Sequence, residues 1–225
     1  LINLQRKTAS SLVTRMLLEK KHVSKGGNAF FTRECCFFHW RIGVFNEKEY
    51  QPMATGFATC DLCDVYKNDS SGDFRVLAPV FRDFGQIRKF AGPVVTVKCF
   101  EDNTLVKAAV DSPGFMDTPE GRVGKVLVVD GGGSLRRALL GGNLGAAAAR
   151  NGWAGVVIDG CVRDTAELAT QAVGIRALAA MPLPTEKRNQ GQADVAVQVQ
   201  GIWIRPGDWL YADEDGIVVG TKPLV

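Results

Sequence analysis

Arg163-Asp164 joins a guanidinium to a carboxylate at the end of an apolar run, Val156-Val157-Ile158-Asp159-Gly160-Cys161-Val162. Glu167 follows one helical turn later, and the glycine doublet Gly141-Gly142 begins 22 residues before Arg163. These residue types suit a small metal-bound carboxylate ligand. Arg163 can clamp a carboxylate with a two-pronged hydrogen bond. Asp164, with Glu167 acting through a water, can hold a hard cation such as Mg²⁺ or Mn²⁺. Gly141-Gly142-Asn143 leads into a predicted helix from Leu144, whose free N–H groups and dipole favour an anion. A 2-oxo acid uses all three features: its carboxylate is clamped, and its keto oxygen is polarised while a C–C bond breaks. The plainer reading is a surface ion pair at a helix start, with Asp164 near the N-cap. Spacing alone leaves both readings open.

Such a site needs two neighbouring strands that end together. Val126-Leu127-Val128-Val129-Asp130 and Gly155–Asp159 read as strands apolar almost throughout, the pattern of a sheet covered on both faces. In open α/β sheets ligands settle beyond the carboxyl ends of such strands. Gly131-Gly132-Gly133-Ser134 is expected to break the first strand, with helices over 135–140 and 144–151. No GxGxxG or phosphate-loop pattern is present, so the glycine run reads as a flexible turn. Upstream, a helix is expected over 58–66, a short edge segment over 76–81, a strand over 94–100 after Gly92-Pro93, a helix over 103–110 and a Pro/Gly-rich turn over 112–121. Downstream come a helix over 165–172 and a strand over 175–178. Short strands follow over 194–199, 201–205, 209–212 and 216–220, separated by the turns Pro206-Gly207-Asp208 and Asp213-Glu214-Asp215-Gly216. Alternating β and α units thus give way to an all-β end. The expected class is α/β, a β/β/α sandwich or swivelling domain with mixed sheets.

Composition narrows the chemistry. The 225 residues are 46% hydrophobic, enough for a sizeable core. Residues 1–52 hold nine Lys and Arg against four Glu, while residues 53–225 hold 18 basic against 20 acidic groups. The body is slightly acidic, which argues against direct nucleic-acid binding. Residues 1–52 read as a basic extension, either a targeting leader or a segment without native meaning ahead of Met53. The compartment expected is the cytoplasm, or an organelle if that segment is a leader. No run approaches the ~18 apolar residues of a membrane span. Both histidines, His22 and His39, lie in the extension. The body therefore has no His triad or His-liganded zinc, and oxygen ligands are left for any metal. Cys60-Asp61-Leu62-Cys63 has the spacing of half a zinc site or a redox pair, but it has no second CxxC. Two buried or half-buried thiols are the expectation there, and Cys99 and Cys161 read as core.

Val128-Val129-Asp130-Gly131-Gly132-Gly133-Ser134-Leu135-Arg136-Arg137-Ala138-Leu139 resembles the RraA family, the regulators of ribonuclease activity A. Leu62-Cys63-Asp64-Val65-Tyr66, the stretch from Val95 to Asn103, and Leu210-Tyr211-Ala212-Asp213 carry the same resemblance, which covers residues 57–225. It implies a β/β/α swivelling domain assembled as a homotrimer or a doubled, hexameric ring. The superfamily includes metal-dependent 4-hydroxy-4-methyl-2-oxoglutarate aldolases that also decarboxylate oxaloacetate. By resemblance, Gly141 to Leu144 would cradle a substrate carboxylate through backbone amides. Arg163 would clamp the substrate, and Asp164 would bind the metal. The ribonuclease regulators typically lack that Asp, so its presence favours a pyruvate lyase over a non-catalytic regulator that binds a ribonuclease partner. The chain departs from the aldolases at Gly142, where they usually carry an acid, and longer aldolases extend beyond the final strands, whereas the sequence here stops at Val225.

Overall fold

Two strands buried on both faces form the centre of the fold, and a computed structural model describes residues 56–119 and 121–225 around them. The readings of residues 1–52, with His22 and His39, lie outside the described residues. In chain order the elements are α1 (Thr59–Tyr66), β1 (Phe74–Val76), β2 (Arg82–Asp83), β3 (Phe90–Lys98), α2 (Thr104–Asp111), β4 (Phe115–Thr118), β5 (Gly121–Gly124) and β6 (Val126–Leu140). They continue as α3 (Gly142–Arg150), β7 (Gly155–Val162), α4 (Thr165–Leu168), β8 (Gly174–Ala180), β9 (Gln192–Ala193), β10 (Val197–Val199), β11 (Ile202–Ile204), β12 (Trp209–Ala212) and β13 (Ile217–Gly220).

The main sheet runs β1-β13-β12-β3-β6-β7-β8-β2, with β9 added beside β3. Its middle, β3-β6-β7-β8, is parallel, and the flanking strands are antiparallel. β3 belongs to both regions: Phe90–Pro93 pairs with β12, and Val94–Lys98 pairs with β6. Pro93 stands where the ladder changes partner, a point at which a missing N–H is tolerated. The strand therefore begins at Phe90, upstream of the Gly92-Pro93 boundary expected from sequence.

Period-two alternation sorts the core into layers. Leu127, Val129, Val156 and Ile158 face α2, α3 and α4 through Val106, Val110, Ala147, Ala148 and Leu168. Val126, Val128 and Val157 face the other way, onto Leu210, Ala212, Ile217, Val219 and the β10–β11 hairpin. On the far side of that second layer Phe57 and Leu62 of the α1 region cover Tyr211 and Val218. This is the mixed β/β/α arrangement expected.

The largest correction is β6. It continues for 15 residues, through the glycines and through 135–140 where a helix was expected. Gly132 and Gly133 both take φ of 66°. That double left-handed kink re-lays the chain on β7, pairing Ser134 with Gly160, Ala138 with Cys161 and Leu140 with Val162. Arg136 bonds Glu101 at 2.7 Å and Arg137 donates to Pro184 O at 2.9 Å, so this stretch is tied outward on both sides. A six-residue helix without a cap could not compete. Smaller corrections have local causes. The expected turn over 112–121 contains β4, paired with β5. The strand expected over 76–81 ends at Val76, ahead of Pro79. α4 is a single turn, because Thr170 and Gln171 fold back onto the Glu167 carbonyl. The strand expected over 194–199 starts only at Val197, after Asp194, whose φ is 54°. Cys60 is exposed rather than buried and Cys63 is intermediate, while Cys99 and Cys161 are core as expected. Burial pushes the Cys99 thiol up to about 12, so it is inert at neutral pH.

Buried charges tie the layers together. Asp213, 4% exposed, accepts the Thr59 N–H at 2.7 Å and the Thr59 hydroxyl at 2.6 Å, fastening α1 to the β12–β13 turn. Arg176 of β8 pairs with Asp83 at 3.0 Å and donates to the carbonyls of Arg88 and Asp213. Asp102 accepts the N–H groups of Thr104, Arg188 and Gln190 at 2.7, 2.6 and 3.1 Å, so one carboxylate caps α2 and pins the loop ahead of β9.

Asp213→Ala should lower unfolding stability by roughly 2–4 kcal/mol, the scale of losing its two bonds to Thr59 together with weaker ones to the Asp215 and Gly216 N–H groups. Urea denaturation measures it, and an unchanged midpoint would show that the α1 anchor is not structural. Burial alone would raise the Asp102 carboxyl, but its bonds to Thr104, Gln190 and Arg188 overcome this and bring it to about 2, from 3.8 in the free side chain. Its stabilising contribution is therefore present above pH 3.8 and is lost as pH falls towards about 2. Asp102→Ala should weaken the protein at neutral pH and flatten the acid limb of its unfolding curve in that window.

Candidate active site

β6 and β7 end side by side. Leu140 pairs with Val162, and the Arg163 N–H donates to Leu140 O at 2.9 Å. The next residues on each chain are Gly141-Gly142 and Arg163-Asp164, which brings the two sequence-predicted groups together at the carboxyl edge of the parallel sheet. Gly141 is the extended N-cap of α3, with φ −131° and ψ −175°. A β-carbon there would lie 2.7 Å from Asp164 Oδ2 and 3.1 Å from both Cγ and Nε of Arg163. Glycine at 141 is thus the condition for the close approach of the pair.

Asp164 is the N-cap residue of α4, yet its side chain makes no capping bond to that helix. Instead Oδ2 accepts the Gly142 N–H at 3.2 Å, at the positive end of the neighbouring helix α3. Its backbone is left-handed, φ 56° and ψ 44°, an unfavourable conformation for a non-glycine residue that tends to occur at functional sites. Arg163 Nε stands 3.5 Å from Asp164 Oδ2, and the two side chains are 41% and 40% exposed. This pair is therefore open to ligand, in a geometry a simple helix-start ion pair does not require.

Glu167, on the single turn of α4, brings a third charged group over the same edge. A β-carbon on Gly142 would overlap Glu167 Oε2 and lie 2.9 Å from its Cδ. Leu144, expected as a backbone donor, has its N–H bonded to Gly141 O at 3.0 Å. The Gly142 N–H is likewise taken, by Asp164 Oδ2, so among the described residues the Asn143 amide is the one left for a ligand.

Gly145 was missed by sequence reasoning. A β-carbon there would lie 2.5 Å from Cδ2 of the fully buried Leu168. The bare Gly145 surface lets α4 pack against α3 and so brings Glu167 within reach of Gly142. Its placement one helical turn after Gly141 was the available signal. A second carboxylate pair, Asp130 and Asp159, sits at matched register on β6 and β7. Lys98 lies 3.8 Å from Asp130 and Gln200 donates to Asp159 at 2.6 Å, so these two acids are satisfied internally. Clefts of about 580 and 360 Å³ lie elsewhere, around Trp153 and Phe100, and gather none of the site groups.

Among the described residues no three His, Cys, Asp or Glu side chains are grouped as a ready metal cage. Asp164 and Glu167 can offer two carboxylates. That donor set fits Mg²⁺ or Mn²⁺, which retain water ligands and bind through one or two carboxylates, and it does not fit a histidine-bound zinc.

Comparison with known proteins agrees with this architecture. The family model described as RraA-like, Aldolase/RraA, matches residues 59–219. A protein of Albidiferax ferrireducens with the provisional name 4-hydroxy-4-methyl-2-oxoglutarate aldolase is 76% identical over 173 residues, 77% of this chain and 100% of that one. The structure titled as the RNA-processing inhibitor RraA from Thermus thermophilis is 45% identical with a TM-score of 0.67, covering 74% of this chain and 94% of that one. A Geobacillus kaustophilus structure, titled as an S-adenosylmethionine:2-dimethylmenaquinone methyltransferase, is 40% identical with a TM-score of 0.66, covering 75% and 97%. With its fold, its motifs and the greater part of its length matched, the chain belongs to the RraA-like family.

Proposed function

We propose that this domain is a divalent-metal-dependent pyruvate lyase, of the 4-hydroxy-4-methyl-2-oxoglutarate aldolase and oxaloacetate decarboxylase type. The observation that carries this reading is the meeting of Arg163, Asp164 and the Gly142 amide at the ends of β6 and β7. Arg163 binds the carboxylate of a 2-oxo acid, and the Asn143 amide orients it at the α3 N-terminus, while the Gly142 amide holds Asp164. Asp164 would hold the metal directly and Glu167 would hold it through a water. When bound, Mg²⁺ or Mn²⁺ supplies the Lewis acidity that draws electron density to the 2-oxo oxygen as the C–C bond breaks. The relatives named as aldolases support the lyase assignment. Assembly into a trimer or hexamer is part of the same proposal, and light scattering reads it directly.

The likeness to an RNA-processing inhibitor favours a second reading, a regulator that binds a ribonuclease through its surface without catalysis. No helix among the described residues is long and apolar enough to cross a membrane.

Asp164→Ala should reduce metal-dependent pyruvate release by about 100-fold or more, the scale of removing one essential electrostatic group. Arg163→Lys should chiefly raise KM, because a point charge cannot reproduce the two-pronged clamp. Coupled assay of pyruvate measures both, and unchanged turnover in Asp164→Ala would overturn the assignment. If the regulator reading holds instead, an Arg163→Ala/Asp164→Ala protein should bind the ribonuclease as tightly as the wild type.

A further inference from the structure

Gly142 is helical, so its backbone conformation does not require glycine. Glycine in a helix is less favourable than alanine by up to ~1 kcal/mol. Its surroundings give the reason for it. The space that a side chain at 142 would enter is filled by the end of Glu167, whose Oε2 a β-carbon would overlap and whose Cβ it would approach to 3.1 Å. Glu167 does not stand there to satisfy a hydrogen bond: among the described residues its carboxylate accepts none, and Thr170 and Gln171 bond only its backbone carbonyl. Gly142 is buried and Glu167 is exposed, so the glutamate lies over the first turn of α3 with its charge open to solvent. Asp164, three residues before Glu167, accepts the N–H of the same Gly142 through Oδ2.

We propose that Gly142 is a positioning residue of the site: its missing side chain admits the Glu167 carboxylate beside Asp164, so that the site's second acid arrives from α4 across the bare start of α3. This rests on the metal-dependent reading above and specifies how that site is completed. Gly142 and Glu167 then act as one unit. A methyl group at 142 meets chiefly the far end of an exposed side chain, so it should displace the carboxylate while leaving the fold intact. An acid carried by residue 142 would occupy the same volume as Glu167, making the two positions alternative sources of one charge.

A double-mutant cycle tests this, using full-length wild type, Gly142→Ala, Glu167→Gln and the double variant. Mn²⁺ affinity is read by electron paramagnetic resonance, with thermal unfolding alongside. Gly142→Ala and Glu167→Gln should each weaken Mn²⁺ binding by about 10-fold, the lower end for groups that orient a metal site. The double variant should be no weaker than either single, and no variant should melt below the wild type. Additive losses, or a Gly142→Ala protein that binds Mn²⁺ like the wild type, would overturn the proposal, as would a silent Glu167→Gln. Should Gly142→Ala fail to fold, Gly142→Asp/Glu167→Ala replaces it: most of the affinity lost in Glu167→Ala should return, and no return would count against the coupling. A wild type that binds no Mn²⁺ would remove the metal-dependent reading itself, an outcome distinct from tight wild-type binding with a silent Glu167→Gln.

Discussion

The parallel pairing of β6 with β7 is the constraint on which the rest of the structure depends. The two strands start in register at Val126 and Gly155 and finish in register at Leu140 and Val162, although β6 contributes 15 residues and β7 only 8. The excess is absorbed by the irregular stretch between Asp130 and Leu140, where Gly132 and Gly133 take left-handed conformations. Because the ends coincide, the chain leaving β6 and the chain leaving β7 deliver Gly141-Gly142 and Arg163-Asp164 to one point. A strand end displaced by one residue would turn these groups to opposite faces of the sheet.

Both faces of that pairing must be sealed from water, since Val126 to Val129 and Val156 to Ile158 are fully buried. The helices seal one face and the second β layer the other, with β3 passing between the regions. The same packing builds the site. α3 lies against the sheet through Ala147 and Ala148, and the absence of side chains at Gly141, Gly142 and Gly145 lets Arg163, Asp164, Glu167 and Leu168 close in on it. Stabilising contacts and ligand-binding groups therefore alternate along single short elements. Leu168 anchors α4 in the core, and its neighbour Glu167 faces solvent over the cradle.

Much of this was legible in the sequence where a residue's role is local. The buried strands at 126–129 and 155–159 announced themselves as unbroken apolar runs, and the Ala-rich helix after Gly141 by composition. Arg163, Asp164 and Gly141 were legible because strand ends, a glycine turn and a charged pair fall in the order an α/β site requires. The motifs from Val128 to Leu139 pointed to the family as well as to the fold. What stayed hidden depends on contacts distant in sequence. Residues 135–140 look helical, and distant groups on Glu101, Leu183, Pro184 and the ledge of β7 hold them extended. Gly145 looks like one more small residue until Leu168 is seen against it. The left-handed backbone of Asp164 and its choice of α3 over its own helix are tertiary facts that no local pattern encodes.

On the function proposed above, the meeting of β6 and β7 builds a metal-dependent lyase site. The most direct measurement is pyruvate release by the wild-type chain from oxaloacetate and from 4-hydroxy-4-methyl-2-oxoglutarate, with Mg²⁺ and again with EDTA. Release should exceed the uncatalysed background in Mg²⁺, disappear in EDTA and recover fully when Mg²⁺ is returned. Release that EDTA leaves untouched, or none from either substrate, would contradict that function.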